Sequence, residues 1–251
     1  MSLDALPSIW LLLIAFPAVT LAYAIFAMAG FGAVFITAPA LAQVMPVATV
    51  VPVLALVDCV AATFNGLKLG SKIAFDELKW LVPLIIAGSY IGANALLVTP
   101  ARPMMVGLGL FVIGYAVFSL LAAPLPNTIG RRWIAPFGLI GGIFSGMFGS
   151  GGFIYAMYLT RRLADRDAIR ATQSALIILS TLTRATIFVF AGVYSDGRIL
   201  ILALACVPAM ALGTWLGHRV TLAMSREQFL RAIHCLLLVS GGALLLRAWT
   251  L

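Results

Sequence analysis

Arg184 is the residue of this sequence whose type and position most clearly indicate chemistry, because it lies within an apolar stretch that predicts a membrane helix over 171–194. A guanidinium at membrane depth costs ~2.5–3.5 kcal/mol or more, so arginines near the bilayer centre usually face a cavity or a partner. Its planar fork can donate to two oxygens of one small anion. Arg184 is therefore a candidate anion ligand. A structural ion pair and a clamp on the carbonyls of a helix end are the alternatives.

Two glycine-rich breaks are the second candidate feature. Each glycine in a helix interior costs about 1 kcal/mol relative to alanine, and irregular backbone at membrane depth is tolerated only where protein buries it or where it lines a wet cavity. Unwound helices in transporters also present backbone amides to anionic substrates. We therefore expect both breaks to contribute amides to an anion site near mid-membrane. Their residues are Gly149, Ser150, Gly151 and Gly152 in one break, and Gly30 and Gly32 in the other.

The predicted helix that carries Arg184 is unusually polar for a membrane segment. At helical spacing its polar residues form two adjacent stripes that both end at Arg184. The stripes indicate a cavity wall, and hydrogen bonding between helices is an equally good interpretation. The stripe residues are Gln173, Ser174, Ser180 and Thr181.

Asp58 lies in the apolar segment 46–67, at a depth matching that of Arg184. It is expected either to neutralise Arg184 when the site is empty or to carry a proton that couples transport, since an unpaired buried carboxylate can titrate near neutrality. Asn65, near the end of the segment 46–67, is a weaker candidate for a counter-ion or coupling role.

The composition is that of a polytopic membrane protein. Of the 251 residues, 63% are hydrophobic and only 10% are charged, which is too little charge for the surface of a soluble domain. The net charge is +8, but the basic residues lie in short loops, which favours orientation signals over a nucleic-acid-binding face. The three cysteines fit neither a metal site nor a disulfide framework. No nucleotide-binding motif is present, and no metal or cofactor is expected.

Apolar segments alternate with short polar loops along the whole chain. They run approximately over 8–28, 33–45, 46–67, 80–98, 104–123, 133–148, 152–160, 171–194, 199–218 and 232–249. Each glycine break precedes a segment too short to span a bilayer.

An internal repeat relates the two halves, about 8–123 and 133–249. Gly30 matches Gly149 at an offset of 119 residues, and the Gly-x-x-x-Gly pair that begins at Gly88 matches the pair that begins at Gly213 at an offset of 125. The fold class predicted is therefore a single all-α transmembrane domain of two repeats, each with a glycine-broken helical hairpin and three transmembrane helices. Close helix contact is the preferred role of the Gly-x-x-x-Gly pairs.

The loop charges favour an in-and-back path for each broken segment. If each broken segment crosses once, eight basic residues face seven on the other side, and no orientation bias results. If each goes in and returns, twelve face three, with Arg184 in the membrane. Each half then crosses an odd number of times, so the repeats are inverted, and both termini are expected in the periplasm. The charge count is the same for a re-entrant hairpin and for two short tilted spans, so both remain alternatives for each broken pair. The twelve cytoplasmic residues are Lys68, Lys72, Lys79, Arg131, Arg132, Arg161, Arg162, Arg166, Arg170, Arg219, Arg226 and Arg231.

These features resemble the sulfite exporter TauE/SafE family along essentially the whole chain. The resemblance rests on the twin glycine-rich segments, the Ala-Thr helix starts at Ala48 and Ala171, and the following Gly-x-x-x-Gly. The first glycine-rich segment is followed by Pro39, whereas Tyr158 occupies the position where a second proline is expected. The resemblance implies a bacterial inner-membrane exporter of sulfite or small organosulfonates.

The function expected is secondary transport by alternating access, with the lipid bilayer as surroundings and protons as the coupling ion. An anion channel and an exporter of a non-sulfur organic anion are the alternatives on the same scaffold. An intramembrane enzyme is least favoured. Phe148 precedes Gly149-Ser150-Gly151, so the pattern of a serine nucleophile turn is absent, and neither histidine is placed to activate Ser150. The sequence predicts no catalytic residues and leaves the oligomeric state open.

Overall fold

The described part of the chain is built from α-helices. This computed structural model describes residues 9–29, 33–66, 72–121, 129–219 and 226–250. Each of the ten apolar segments predicted from the sequence overlaps one α-helix of this described part. The helices are α1 (Ile9–Ala29), α2 (Ala33–Leu41), α3 (Val47–Gly66), α4 (Phe75–Val98), α5 (Ala101–Leu121), α6 (Ile134–Phe148), α7 (Gly152–Arg162), α8 (Arg166–Phe190), α9 (Gly197–Arg219) and α10 (Arg226–Thr250).

Helix α8 is displaced along the sequence relative to its predicted limits. It begins at Arg166 rather than at 171, because Asp165 caps its first turn by accepting a hydrogen bond from the Asp167 amide at 2.9 Å. It ends at Phe190 rather than at 194, and Gly192 follows with a left-handed φ of 71°. The predicted limits are wrong because a search for apolar runs passes over a charged first turn.

Some helices are long and apolar enough to cross a bilayer, and others are too short. Among the described residues, four stretches are long and apolar enough to cross. In contrast, α6 and α7 have 15 and 11 residues. Helices of that size are about 22 and 16 Å long, short of the ~30 Å hydrocarbon core. The spanning stretches are Phe75–Val98, Ala101–Phe118, Arg166–Phe190 and Gly197–Gly217.

Helix packing divides the chain into two compact units. Unit 1 comprises residues 1–50, 99–125 and 205–251, and unit 2 comprises residues 51–98 and 126–204. In unit 1, α1 packs on α2 and α5 packs on α10. In unit 2, α4 packs on both α6 and α8, and the short helix α7 packs on α6 and α8. The buried core of unit 2 consists of Leu81, Ile85, Ile134, Tyr155, Tyr158, Leu159 and Leu176.

Both units contain a helix crossing that is lined by a Gly-x-x-x-Gly pair. In unit 2 the crossing is between α4 and α6, and in unit 1 it is between α9 and α1. At both crossings the helices are so close that a Cβ on the glycines would strike backbone carbonyls. The residues at the two crossings are related by the repeat offsets. The glycines of the two units are 125 positions apart in the sequence, and the residues whose carbonyls they contact are 119 positions apart. The glycines are Gly88, Gly92, Gly213 and Gly217, and their carbonyl partners are Leu139, Ile143, Thr20 and Ala24 respectively. Both Gly-x-x-x-Gly pairs are therefore helix-packing sites, as predicted.

Candidate functional site

The candidate site lies in unit 2, where α6 ends and α7 begins. Gly149 ends α6 with a φ of 75°, and its amide donates to the Ser145 carbonyl at 2.8 Å. The Ser150 amide donates to the Phe144 carbonyl at 3.3 Å, so two carbonyls at the end of α6 are satisfied. Two amides of the break are thus engaged in ending α6. The amides of Gly151 and Gly152, at the start of α7, have no acceptor within that helix.

Arg184 reaches this break from α8. Only 1% of the residue is exposed. Its Nη2 donates to Asp58 Oδ2 on α3 at 2.9 Å, and its Nη1 donates to the Ser145 carbonyl at 3.1 Å. The ion pair and the helix-end carbonyl clamp, which were alternatives from the sequence, therefore both occur. Arg184 joins α3, α8 and the last turn of α6.

The position of Arg184 along its helix differs from the prediction. It lies six residues before the end of α8, about 9 Å along the helix axis, and not near the middle as expected from the limits 171–194. The difference follows from the early start and early end of α8. Its burial is due to the helices around it and not to a central position in its own helix.

Two buried polar atoms at the break have no hydrogen-bond partner among the described residues, namely Arg184 Nε and Ser150 Oγ. A buried polar group without a partner costs about 1–3 kcal/mol. The guanidinium Nε–H can only donate, and a serine hydroxyl can donate or accept. A ligand with several acceptor oxygens would satisfy both groups.

A chain of hydroxyl groups lines the same region. Ser145 Oγ lies 2.5 Å from Ser180 Oγ, which lies 3.4 Å from the Tyr155 hydroxyl. Ser180 was predicted from the sequence, whereas Ser145 and Tyr155 were not. The two residues lie one helical turn before Gly149 and one turn after Gly151, and that spacing is the signal that could have identified them.

A glycine is needed at position 151 because a side chain would not fit there, and not because the backbone conformation demands it. Its φ of −66° is open to any residue. However, a Cβ there would lie 2.7 Å from the Tyr155 hydroxyl and 2.8 Å from Ser145 Cβ, and it would also contact the Gly141 carbonyl. The missing side chain lets α6 and α7 approach closely beside Arg184.

The other site residues predicted from the sequence have no recorded contact with Arg184 among the described residues. Thr181 is buried on α8, Gln173 is half-buried and Ser174 is exposed. Gln173 precedes Arg184 by eleven residues, about 16 Å along the helix. Gly30, Gly32 and the side chain of Asn65 lie outside the described residues. No group of three or more His, Cys, Asp or Glu suited to a metal ion occurs in the described ranges.

Both ends of the α6–α7 pair lie at the same end of unit 2, beside the first turn of α4. Before α6, Arg131 Nη2 donates to the Asp76 carbonyl at 3.2 Å. At the end of α7, Arg162 Nε donates to Glu77 Oε1 at 2.9 Å, and this bond raises the pKa of Arg162. Lys72 pairs with Asp167 at 2.9 Å at this end too, and this pairing raises the pKa of the lysine.

Glu77 and Tyr158 form a contact that the sequence analysis missed. Glu77 is only 5% exposed, and the hydroxyl of the fully buried Tyr158 donates to its Oε2 at 2.6 Å. Tyr158 is the residue found where the family resemblance predicts a second proline. A tyrosine there supplies a hydrogen-bond donor that proline lacks.

Comparison with known protein families identifies the family of this chain. The family model described as "Sulfite exporter TauE/SafE" matches residues 15–244. Comparison with curated proteins and with solved structures gives no match. The match extends from within α1 to within α10 and includes Arg184, Asp58 and the glycine break. This multi-pass membrane protein belongs to the sulfite exporter TauE/SafE family.

Proposed function

We propose that the chain is a secondary transporter that exports a small sulfur-containing anion, sulfite or an organosulfonate, across the bacterial inner membrane. Family membership suggests export of a sulfur anion. The observation that carries the proposal is two buried, unused groups, Arg184 Nε and Ser150 Oγ. Arg184 holds the last turn of α6, and Ser150 directly precedes the amides of Gly151 and Gly152. These groups can all donate, and sulfite or sulfonate oxygens only accept, so such an anion would satisfy them together.

The mechanism assigns separate roles to the two charged residues. In the empty site Asp58 neutralises Arg184 through Nη2. The incoming anion binds Nε, the Ser150 hydroxyl and the amides of Gly151 and Gly152, and it competes with Asp58 for the guanidinium. A carboxylate released from its partner in a buried site favours its protonated form, which supplies a route for proton coupling. Alternating access would then expose the site to each side of the membrane in turn.

The proposed architecture is a single transmembrane domain of two inverted repeats, about 8–123 and 133–249, with periplasmic termini. Two observations support it. The glycine crossings in the two units use residues at the repeat offsets. The ends of the α6–α7 pair also lie together beside basic residues, as an in-and-back hairpin on the cytoplasmic side requires.

The test is efflux of radiolabelled sulfite from proteoliposomes under an imposed pH gradient. We expect gradient-dependent efflux with the wild-type chain and at least ~100-fold slower efflux with Arg184→Gln, because an anion in a buried site loses its charged partner. Arg198→Gln is the matched control, since Arg198 is an exposed arginine of the same unit. Unchanged efflux with Arg184→Gln would show that the anion binds elsewhere.

The same assay separates the alternatives. An anion channel would give flux that is indifferent to the pH gradient and faster than a transporter cycle. An exporter of a non-sulfur organic anion would leave sulfite and sulfonates unmoved and would transport a carboxylate instead.

A further inference from the structure

The carboxylate of Glu77 is fully engaged by α7. Tyr158 donates to its Oε2 at 2.6 Å, and Arg162 donates to its Oε1 at 2.9 Å. Among the described residues, Glu77 is the only acidic residue in the buried class. A buried carboxylate is tolerated only when it is paired and hydrogen-bonded. The position of Glu77 in the first turn of α4 adds the favourable helix dipole.

Helix α7 connects this contact to the candidate anion site. Its first residue, Gly152, carries one of the amides without an intrahelical acceptor, and its last turn carries Arg162. Its 11 residues make it a rod of about 16 Å. A rotation or shift at the end held by Glu77 therefore moves the other end, where Gly151 packs against Ser145, the residue whose carbonyl Arg184 holds.

The middle of α7 fits its surroundings tightly. Tyr155 is fully buried, and its ring lies so close to Gly141 that a Cβ there would strike the ring. Its hydroxyl lies 3.4 Å from Ser180 Oγ. Close packing transmits a displacement of the helix rather than absorbing it.

We infer that Glu77 is a positioning residue for anion binding, which fixes α7 through Tyr158 and Arg162 so that the Gly151 and Gly152 amides face Arg184. Glu77 does not touch the anion itself. The effect on anion binding rests on the proposed function. The attachment of α7 to Glu77 does not, because it is present in the protein without a substrate. A displacement of about 1 Å is enough to cost a binding or catalytic site up to ~100-fold.

Two readouts on the purified full chain test this inference. The first is the Kd for sulfite, measured by calorimetry for wild type, Glu77→Gln and Tyr158→Phe. The phenylalanine keeps the buried ring and removes only the hydroxyl that Glu77 accepts from. Asp76→Asn is the matched control, because Asp76 lies on the same turn in an exposed pair with Lys79. We expect the Kd to rise at least ~10-fold in both test variants and to stay unchanged in the control.

The second readout needs no substrate. Ala156, half-buried in the middle of α7, is replaced by cysteine in a background without Cys59, Cys206 and Cys235, and the rate of thiol labelling is measured. Glu77→Gln and Tyr158→Phe should each raise that rate about tenfold, because looser attachment increases local opening. Asp76→Asn should leave it unchanged.

The outcomes are distinct. If wild type does not bind sulfite, the proposed function fails, and the labelling rates alone decide whether Glu77 holds α7. If wild type binds sulfite and a folded Tyr158→Phe shows wild-type Kd and labelling, the inference is overturned while the proposed function stands. Should Glu77→Gln not fold, Tyr158→Phe carries the test. A fall in melting temperature with unchanged Kd and labelling would indicate a merely structural role and also overturn it.

Discussion

At the scale of single residues, Arg184 divides its donors between the fold and a ligand. Nη1 and Nη2 are engaged by Ser145 and Asp58, whereas Nε has no partner in the described part of the chain. A purely structural arginine would be expected to use all its buried donors. The unused Nε, together with Ser150 Oγ, therefore distinguishes an anion site from a simple ion pair.

Replacing Asp58 by asparagine should destabilise the empty protein and improve anion binding. The substitution leaves a buried guanidinium without its counter-charge, and such a loss typically costs ~3–5 kcal/mol. Because 16% of the Asp58 side chain is exposed, we expect about 3 kcal/mol. Sulfite should bind more tightly, since the carboxylate that competes for Arg184 is gone. The free energy of unfolding in detergent, measured with and without sulfite, checks both effects.

The control is Asp76→Asn, which breaks an exposed pair whose carboxylate side chain is 84% accessible. Such pairs contribute between 0 and about 1 kcal/mol. A loss with Asp58→Asn no larger than this control would contradict a buried charge pair. Weaker sulfite binding in Asp58→Asn would contradict the proposed competition for Arg184.

The sequence predicted the charged members of this site but not its neutral ones. Arg184 and Asp58 are identifiable because a charge inside an apolar helix is costly and therefore informative. Ser145 and Tyr155 carry no such signal, because serine and tyrosine are common in apolar helices for packing reasons alone. Glu77 was overlooked because an acidic residue in a first helical turn is ordinary, and only the tertiary contact with Tyr158 makes it unusual.

At the scale of helices, glycine determines how closely α4 and α6 approach. Gly92→Ala should destabilise unit 2 by roughly 1–3 kcal/mol through overpacking. The new Cβ would contact the Ile143 carbonyl and lie 2.9 Å from the Met147 amide nitrogen. Backbone atoms of a packed helix cannot move aside as a flexible side chain can. Denaturant unfolding in detergent gives the difference in the free energy of unfolding.

Gly114→Ala in α5 is the matched control, because a Cβ there meets nothing within 4 Å. Alanine is the better helix former, so this variant should be neutral or more stable by about 0.4–1 kcal/mol. Equal effects of the two substitutions would mean that helix propensity, and not the crossing with α6, determines the result.

The helices were predictable from the sequence in number but not in their limits. Long apolar runs identify a membrane helix whatever its neighbours are. The first turns of α4 and α8, residues 75–78 and 166–169, each contain two charged residues, so a search for apolar runs excluded them. Their helical state depends on caps and tertiary contacts, such as the bond from the Ala74 amide to Thr172 Oγ1 at 2.9 Å.

At the scale of the whole molecule, the compact units do not coincide with the halves of the sequence. Unit 2 combines α4 and most of α3 from the first half with α6, α7 and α8 from the second. The repeat offsets were readable from the sequence because the glycines recur. The exchange of helices between halves was not readable, because it depends on which surfaces meet.

The path of the chain through the membrane gives the last prediction. Single cysteines at positions 130, 164 and 195, all exposed, are introduced into a background without the native cysteines and labelled with an impermeant maleimide. Gly130 precedes α6 and Ala164 follows α7, so an in-and-back hairpin puts both in the cytoplasm. Each should be labelled only after the inner membrane is permeabilised. Ser195, in the turn after α8, should be labelled in cells whose inner membrane is intact. If positions 130 and 164 respond differently from each other, the α6–α7 pair crosses the bilayer, and the charge-based orientation of the second repeat is wrong.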